Sequence, residues 1–160
     1  RPGDRKARHR WRIRGSRAVI IPDINLLVCA YNSDAPFHDR SKEWLEECLS
    51  GRTVVGLPWI VVLGFVRIMS SSVVLTSPMH PAEAVQHVES WLERPQTQIV
   101  NPGPRHLEIL GDLMQSSGAS GRLTTDAHLA ALAIETQSEL HSNDLDFGRF
   151  PGLRWTNPLD

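Results

Sequence analysis

The run Ala18-Val19-Ile20-Ile21 is apolar on every residue and meets no charge until Asp23. A strand that is apolar on both faces has to be covered on both faces, which is the condition of a parallel sheet flanked by helices. The rest of the chain supplies the covering. A turn at Asp23-Ile24-Asn25 leads into a predicted helix over 25–31. A second helix over 38–49 carries Trp44, Leu45, Cys48 and Leu49 on one face and stops at Gly51. Residues 53–56 read as a short strand. Pro58 suits the first turn of a helix over 58–69, because its missing N–H is not needed there. That helix is apolar almost all round, with Gly64 in its middle and Arg67 as its only charge, so it is expected to be buried on most sides. Further helices are expected over 81–92 (Ala84, Val85, Val88, Trp91, Leu92 facing inward), 105–115 (Leu107, Leu110, Leu113, Met114) and 127–137 (Leu129, Ala130, Ala133, Ile134). Strands are expected over 98–100, just before His141-Ser142, and over 154–156. Trp44, Trp59 and Trp91 are assigned to the core. Strands alternating with helices long enough for crossovers predict a three-layer α/β domain with a mainly parallel central sheet.

One hundred and sixty residues suit one domain, and 41% hydrophobic residues suffice for a core. No run of about 18 apolar residues is present, so no membrane span is expected. The N-terminal arginines precede too few apolar residues for a signal peptide. Cys29 and Cys48 lack the spacing of a zinc knuckle or a redox pair and are expected to be buried thiols of a cytoplasmic protein. Charge divides the chain. Residues 1–17 hold eight of the 17 Lys and Arg and one of the 18 acids, whereas residues 18–160 carry a net −8. The basic extension 1–17 is expected to be largely disordered, with a short strand at His9 to Ile13 at most. An arm that tracks phosphates, with Trp11 stacking on a base, is one reading of it. The missing initiator Met and the clean start of the pattern near Val19 favour the other reading, a non-native or misassigned extension ahead of the 18–160 domain. A body this acidic can hold an anionic substrate only through metal ions and local basic groups.

Four acids carry the chemistry. Asp23 ends the first strand, in an element where Asp is depleted. Asp126 stands at the start of the helix over 127–137, and Asp144 and Asp146 follow the next strand in Ser142-Asn143-Asp144-Leu145-Asp146-Phe147. A helix leading into a strand returns the chain to its starting level, so the two groups can meet, and in a parallel sheet the productive crevice lies beyond the carboxyl ends of the strands. Singly, each has an ordinary explanation: Asp126, behind Thr125 as N-cap, as a first-turn acid, and Asp144 and Asp146 as turn formers. Jointly, clustered carboxylates repel one another unless a cation relieves them. Oxygen donors without a His or Cys set favour Mg²⁺, which can acidify a water for attack on a phosphodiester. Asn25 and Ser142 are candidates for water-mediated or supporting contacts. Arg67 is a candidate for a substrate phosphate, or for an ordinary buried ion pair. His38, His128 and His141 are expected to be structural.

Ile20-Ile21-Pro22-Asp23-Ile24-Asn25-Leu26-Leu27, Leu123-Thr124-Thr125-Asp126-Ala127-His128-Leu129-Ala130-Ala131-Leu132-Ala133, the Ser142 to Phe147 segment and Phe150-Pro151-Gly152-Leu153-Arg154-Trp155 together resemble the PIN-domain family, and within it the VapC-type toxins of bacterial toxin-antitoxin pairs. The resemblance implies a PIN-like fold, a Mg²⁺-dependent (or Mn²⁺-dependent) endoribonuclease with tRNA or rRNA as plausible substrate, a cognate VapB-type antitoxin and a homodimer. It assigns Asp23, Asp126 and Asp144 to the metal-binding acids and Asp146 to a fourth, more variable position. One departure stands out: many PIN domains have Glu on the third helix where this chain has Gly64. Loss of that carboxylate opens a second reading, a catalytically weak module that binds antitoxin or RNA. A third, an aspartate-nucleophile phosphatase of the haloacid dehalogenase type, fits less well. Position 25 is Asn where that chemistry needs a second Asp, and the only lysine after residue 17 is Lys42.

Overall fold

The computed structural model describes residues 18–160, so the expectations for residues 1–17 lie outside the described residues. Five strands form one all-parallel sheet: β1 (Val19–Pro22), β2 (Val54–Pro58), β3 (Thr97–Val100), β4 (Glu139–His141) and β5 (Trp155–Thr156), in the spatial order β3-β2-β1-β4-β5. Six helices connect them: α1 (Ile24–Tyr31), α2 (His38–Ser50), α3 (Trp59–Met69), α4 (Pro81–Leu92), α5 (His106–Ser117) and α6 (Thr124–Glu135). The expected α/β architecture is therefore the observed one.

The central strand is β1, paired with β2 on one side and β4 on the other. Ile21 is fully buried and Val19 nearly so, while Ile20 is half-buried and Ala18, expected in the strand, lies ahead of it and is exposed. Strand order reverses at β1, and this reversal leaves a crevice at the carboxyl ends of β1 and β4. The β1 ladder continues one residue past the strand, where Asp23 N–H donates to His141 O at 2.9 Å. Register thus fixes Asp23 beside the end of β4.

The core between α1, α3 and α4 is built on aromatic contacts. Phe65 and Trp91 pack edge to face at 4.8 Å, and the Trp91 indole donates to Tyr31 Oη at 3.0 Å. Trp44 is buried and donates to His141 Nδ1 at 3.1 Å. Burial holds the His141 ring below its ordinary pKa, which favours the neutral form that can accept this bond. His38 Nδ1 meets Cys29 O, and His128 Nδ1 meets His106 Nε2 at 2.8 Å, so the three histidines assigned to structure make structural contacts. Cys48 is buried, with its thiol pushed up to about 11 chiefly by desolvation, and Cys29 is half-buried; both are free. No helix among the described residues is long and apolar enough to cross a membrane.

Several expectations are corrected. Pro58 is the last residue of β2, with extended backbone, and α3 starts at Trp59. Burial on α3 follows Val61, Val62, Phe65 and Met69, while Trp59 (53% exposed) and Leu63 (63%) face outward. A helix lying against one side of a sheet keeps an outer face whatever residues it carries, so Trp59 is not a core aromatic. Val85 and Leu107 also face outward, at the margins of their helical stripes.

Candidate metal centre

Each acid is positioned by a different local device. Asp23 caps α1: its Oδ1 accepts Ile24 N–H at 2.7 Å, and its backbone is extended as an N-cap requires. Its Oδ2 accepts the hydroxyl of fully buried Ser142 at 2.8 Å. Ser142 also accepts Asp144 N–H at 3.0 Å, so one hydroxyl links the carboxylate after β1 to the backbone after β4. The segment is held from outside by Trp155, whose indole donates to Ser142 O at 2.9 Å. Asp144 then caps a single 3-10 turn, Leu145–Arg149, by accepting Asp146 N–H at 2.9 Å. That turn swings the Asp146 side chain back toward Asp144.

Asp126 arrives from α6. A 3-10 turn, Gly121–Leu123, runs directly into this helix, so the helix begins at Thr124 and the residue before it, Leu123, makes no side-chain cap. Thr125 is inside the first turn and is not the N-cap expected from its position. Asp126 remains a first-turn acid, where the helix dipole favours negative charge.

Carboxylate oxygens of Asp126, Asp144 and Asp146 lie within 4.8 Å of one another. Asp23, also expected among the ligands, is not one of the three carboxylates within that distance; its two oxygens are engaged by Ile24 and Ser142. Each carboxylate oxygen has two acceptor sites, so these bonds leave Asp23 capacity to face a cation. Electrostatics link all four. Desolvation first, then repulsion from Asp23, Asp144 and Asp146, pushes the Asp126 carboxyl up to about 6. Burial is also the main cause that raises Asp23, with the Asp144 charge adding to it and the bonds from Ser142 and Ile24 opposing it.

A divalent cation fits this donor set on two counts. The three clustered ligands are all oxygens, converging from two separate segments, α6 and the turn after β4, and the cluster carries repulsion that a proton or a metal ion would relieve. Mg²⁺ and Mn²⁺ both accept such donors.

The remaining candidates are not drawn into the cluster. Asn25 is exposed on α1, and neither it nor Arg67 makes a side-chain hydrogen bond among the described residues. Arg67 is exposed on α3 and is not the buried ion-pair partner that its apolar helix made plausible. The cation that lowers the Asp126 carboxyl is Arg122, and the one bonded to Asp146 is Arg149. Sequence reading passed over both. Their signal was spacing, since each sits three or four residues from an acid of the cluster.

Gly64 lies where a carboxylate is common in the resembled family. A β-carbon built there would come within 2.5 Å of Ile24 Cδ1 and 3.0 Å of Ile24 Cγ1. Ile24 therefore fills the space that a side chain from this helix position would enter.

Residues 20–153 match the family model of the PIN domain. Ribonuclease VapC33 of Mycobacterium tuberculosis is 43% identical over 141 residues, covering 88% of this chain and 99% of that protein. Ribonuclease VapC37 of the same organism is 40% identical over 138 residues, covering 86% and 96%. Among solved structures, VapBC2 from Rickettsia felis, bound to a DNA fragment from its promoter, superposes with a TM-score of 0.64 at 19% identity, over 87% of this chain and 98% of that one. VapBC-1 from nontypeable Haemophilus influenzae gives the same TM-score at 13% identity, over 89% and 99%. These structural likenesses concern the fold, and the sequence relatives carry the kinship, which displaces the haloacid dehalogenase alternative. On the span of the family match and the identity of these relatives, the chain belongs to the PIN-domain family and is of the VapC type.

Proposed function

We propose that this protein is a divalent-metal-dependent endoribonuclease and the toxin of a VapBC-type toxin-antitoxin pair. The observation that carries the reading is the convergence of Asp126, Asp144 and Asp146 within 4.8 Å, backed by Asp23, in a chain 43% identical to a protein named as a ribonuclease. Asp126, Asp144 and Asp146 would hold the ion, with Asp23 completing the negative pocket. A bound Mg²⁺ or Mn²⁺ supplies Lewis-acid polarisation of a phosphodiester and a water of lowered pKa. Ser142 keeps the Asp23 carboxylate oriented, and the Asp144 cap fixes the 3-10 turn that presents Asp146. Asn25, on the first turn of α1, is left to contact solvent or substrate.

The partners follow from kinship: a VapB-type antitoxin, as in the complexes named VapBC that share the fold, RNA as substrate, and a second copy of the chain. The apolar outer face of α3, with Trp59 and Leu63, offers surface for protein contact. A specific observation keeps a second reading in play. Ile24 fills the space beside Gly64, so no acid from α3 joins the cluster, and a weakened nuclease that chiefly binds its partners is the alternative.

Cleavage of purified RNA by wild type, Asp23→Asn and Asp126→Asn, with Mg²⁺ or Mn²⁺ and with EDTA, separates the readings. Cleavage that needs the ion and disappears in both variants is the expected result. Full activity in both variants would sink the metal-centre assignment, and no cleavage by wild type with retained antitoxin binding would favour the weaker module.

A further inference from the structure

The acid cluster is bordered by two arginines that come from its own positioning turns. Arg149 ends the 3-10 turn that carries Asp146; its Nη2 donates to Asp146 Oδ1 at 2.8 Å and its Nε to Asp146 O at 3.2 Å. Arg122 sits, exposed, in the 3-10 turn that runs into α6, four residues before Asp126. Each is therefore fixed in sequence to an acid assigned to the ion.

A guanidinium has five N–H donors, and the two bonds to Asp146 leave three of Arg149's without a protein acceptor among the described residues. Arg122 makes no side-chain hydrogen bond and no ion pair among the described residues. Both are open to solvent, and the Arg149–Asp146 pair is about one-third exposed on each side. Such a pair contributes little to stability, about 0–1 kcal/mol. A cation bonded to a metal-binding acid also competes with the metal. Charge neutralisation alone is thus a poor account of Arg149, while a planar fork with free donors matches the oxygens of a phosphodiester. The surroundings sharpen the need, because residues 18–160 carry a net −8 and repel an RNA strand except where cations are placed.

We propose that Arg149 and Arg122 bind backbone phosphates of the RNA on either side of the acid cluster, as positioning residues that set the strand across the ion. This rests on the nuclease reading for its substrate class. Arg149 turns from Asp146 to a phosphate when that carboxylate is taken up by the cation, and Arg122 holds the strand at the mouth of α6.

The test uses the full chain and a short fluorescein-labelled single-stranded RNA, with Asp23→Asn as a background in which cleavage is suppressed while Asp126, Asp144 and Asp146 are kept. Anisotropy titrations in Mg²⁺ at several salt concentrations compare Arg149→Ala, Arg122→Ala and both together. Each substitution is expected to weaken binding about threefold to tenfold and to reduce the slope of log affinity against log salt by about 0.7, the value for one single-strand phosphate contact. Arg149→Lys should keep the slope while losing part of the affinity. Circular dichroism confirms that each variant is folded. Unchanged slope and affinity in the double variant overturn the proposal. So does tighter Mn²⁺ binding by Arg149→Ala in the otherwise wild-type chain with RNA binding unaltered, since the arginine would then only neutralise Asp146. If wild type cleaves no RNA yet the slopes fall as expected, the phosphate contacts stand and the nuclease reading fails. If the Arg122→Ala/Arg149→Ala chain cleaves with wild-type kcat/KM and an unaltered slope, the reverse holds.

Discussion

Ser142 Oγ donates to Asp23 Oδ2 at 2.8 Å, joining residues 119 positions apart and closing the crevice between β1 and β4. The hydroxyl is fully buried and the carboxylate 6% exposed, so neither has water to fall back on. Ser142→Ala removes the donor that most strongly holds the Asp23 carboxyl down against burial. The unfolding free energy at neutral pH should fall by about 1–3 kcal/mol, the cost of a buried charged acceptor losing its partner. The acid limb of the cleavage pH profile should move upward as Asp23 becomes easier to protonate. Urea denaturation and kcat/KM against pH measure the two effects, and an unmoved acid limb would show that Ser142 does not tune Asp23.

Asp126, pushed up to about 6, makes ion binding depend on pH. Protons and the cation compete for the same oxygens, so Mn²⁺ affinity measured by calorimetry should be flat above the pKa and fall by about tenfold per pH unit below it. Stability moves the other way in the metal-free protein. The folded pKa exceeds the unfolded value of 3.8, so the contribution of this group is full below 3.8 and is lost as pH rises through about 6. Adding Mn²⁺ should restore stability on the alkaline side. Asp126→Asn should remove this pH dependence and raise the metal-free midpoint by about 2–4 °C, the shift that roughly 1 kcal/mol produces in a chain of this length. The partial exposure of the carboxylate argues against a larger change. Thermal melts with EDTA across the pH range provide the check.

The path of the sheet was legible because it rests on strong local signals. An apolar run such as Val19-Ile20-Ile21 has no place except a covered strand, and Asp23 and Asp144 follow strands whose ends a parallel sheet must align. What escaped sequence reading depends on contacts between segments. The outward face of α3 could not be told from its letters, since Trp59 and Leu63 are as apolar as Val61 and Phe65 and only the packing partners separate them. The start of α6 was misplaced because a 3-10 turn runs into it and leaves no cap for Thr125 to make. Arg149 was invisible for the opposite reason: an arginine three residues after an acid is common on any surface, and its meaning comes from what Asp146 adjoins.

Gly64 and Ile24 form a coupled pair. Replacing glycine by alanine within a helix gains about 1 kcal/mol in propensity. Here the added β-carbon would press Ile24 Cδ1 at 2.5 Å, and the tip of that side chain has to turn away. Gly64→Ala alone should therefore gain less than the propensity allows. Ile24→Val removes the tip but keeps Cγ1 at 3.0 Å, and in that background the same substitution should recover part of its gain, with a coupling of about 0.5–1.5 kcal/mol between the two sites. A double-mutant cycle in urea reads this directly. Strict additivity would mean that Ile24 does not occupy the space.

At the other end of α6, Glu135 is the hub of a separate network. Its carboxylate accepts the backbone N–H groups of Gly103 and Arg105, each at 3.0 Å, and lies 3.3 Å from Nδ1 of buried His106. The bonds tie the entry of α5 to the exit of α6, so the segment crossing from β3 depends on them. Nine residues separate Glu135 from Asp126, or about 14 Å along a helix, which is beyond direct contact with the acid cluster. Glu135→Ala should then lower stability by about 1–3 kcal/mol by orphaning the Gly103 and Arg105 amides and removing the carboxylate beside His106 Nδ1, while cleavage per folded molecule stays close to wild type. Gly103→Ala attacks the same network from the opposite side, because its β-carbon would sit 2.5 Å from Glu135 Oε1 and displace the carboxylate. Both variants should lose protection of the Gly103 and Arg105 amides in hydrogen exchange. A large loss of specific activity in the folded fraction would instead mean that α6 transmits changes at this network to Asp126, and the two ends of the helix could no longer be treated as independent.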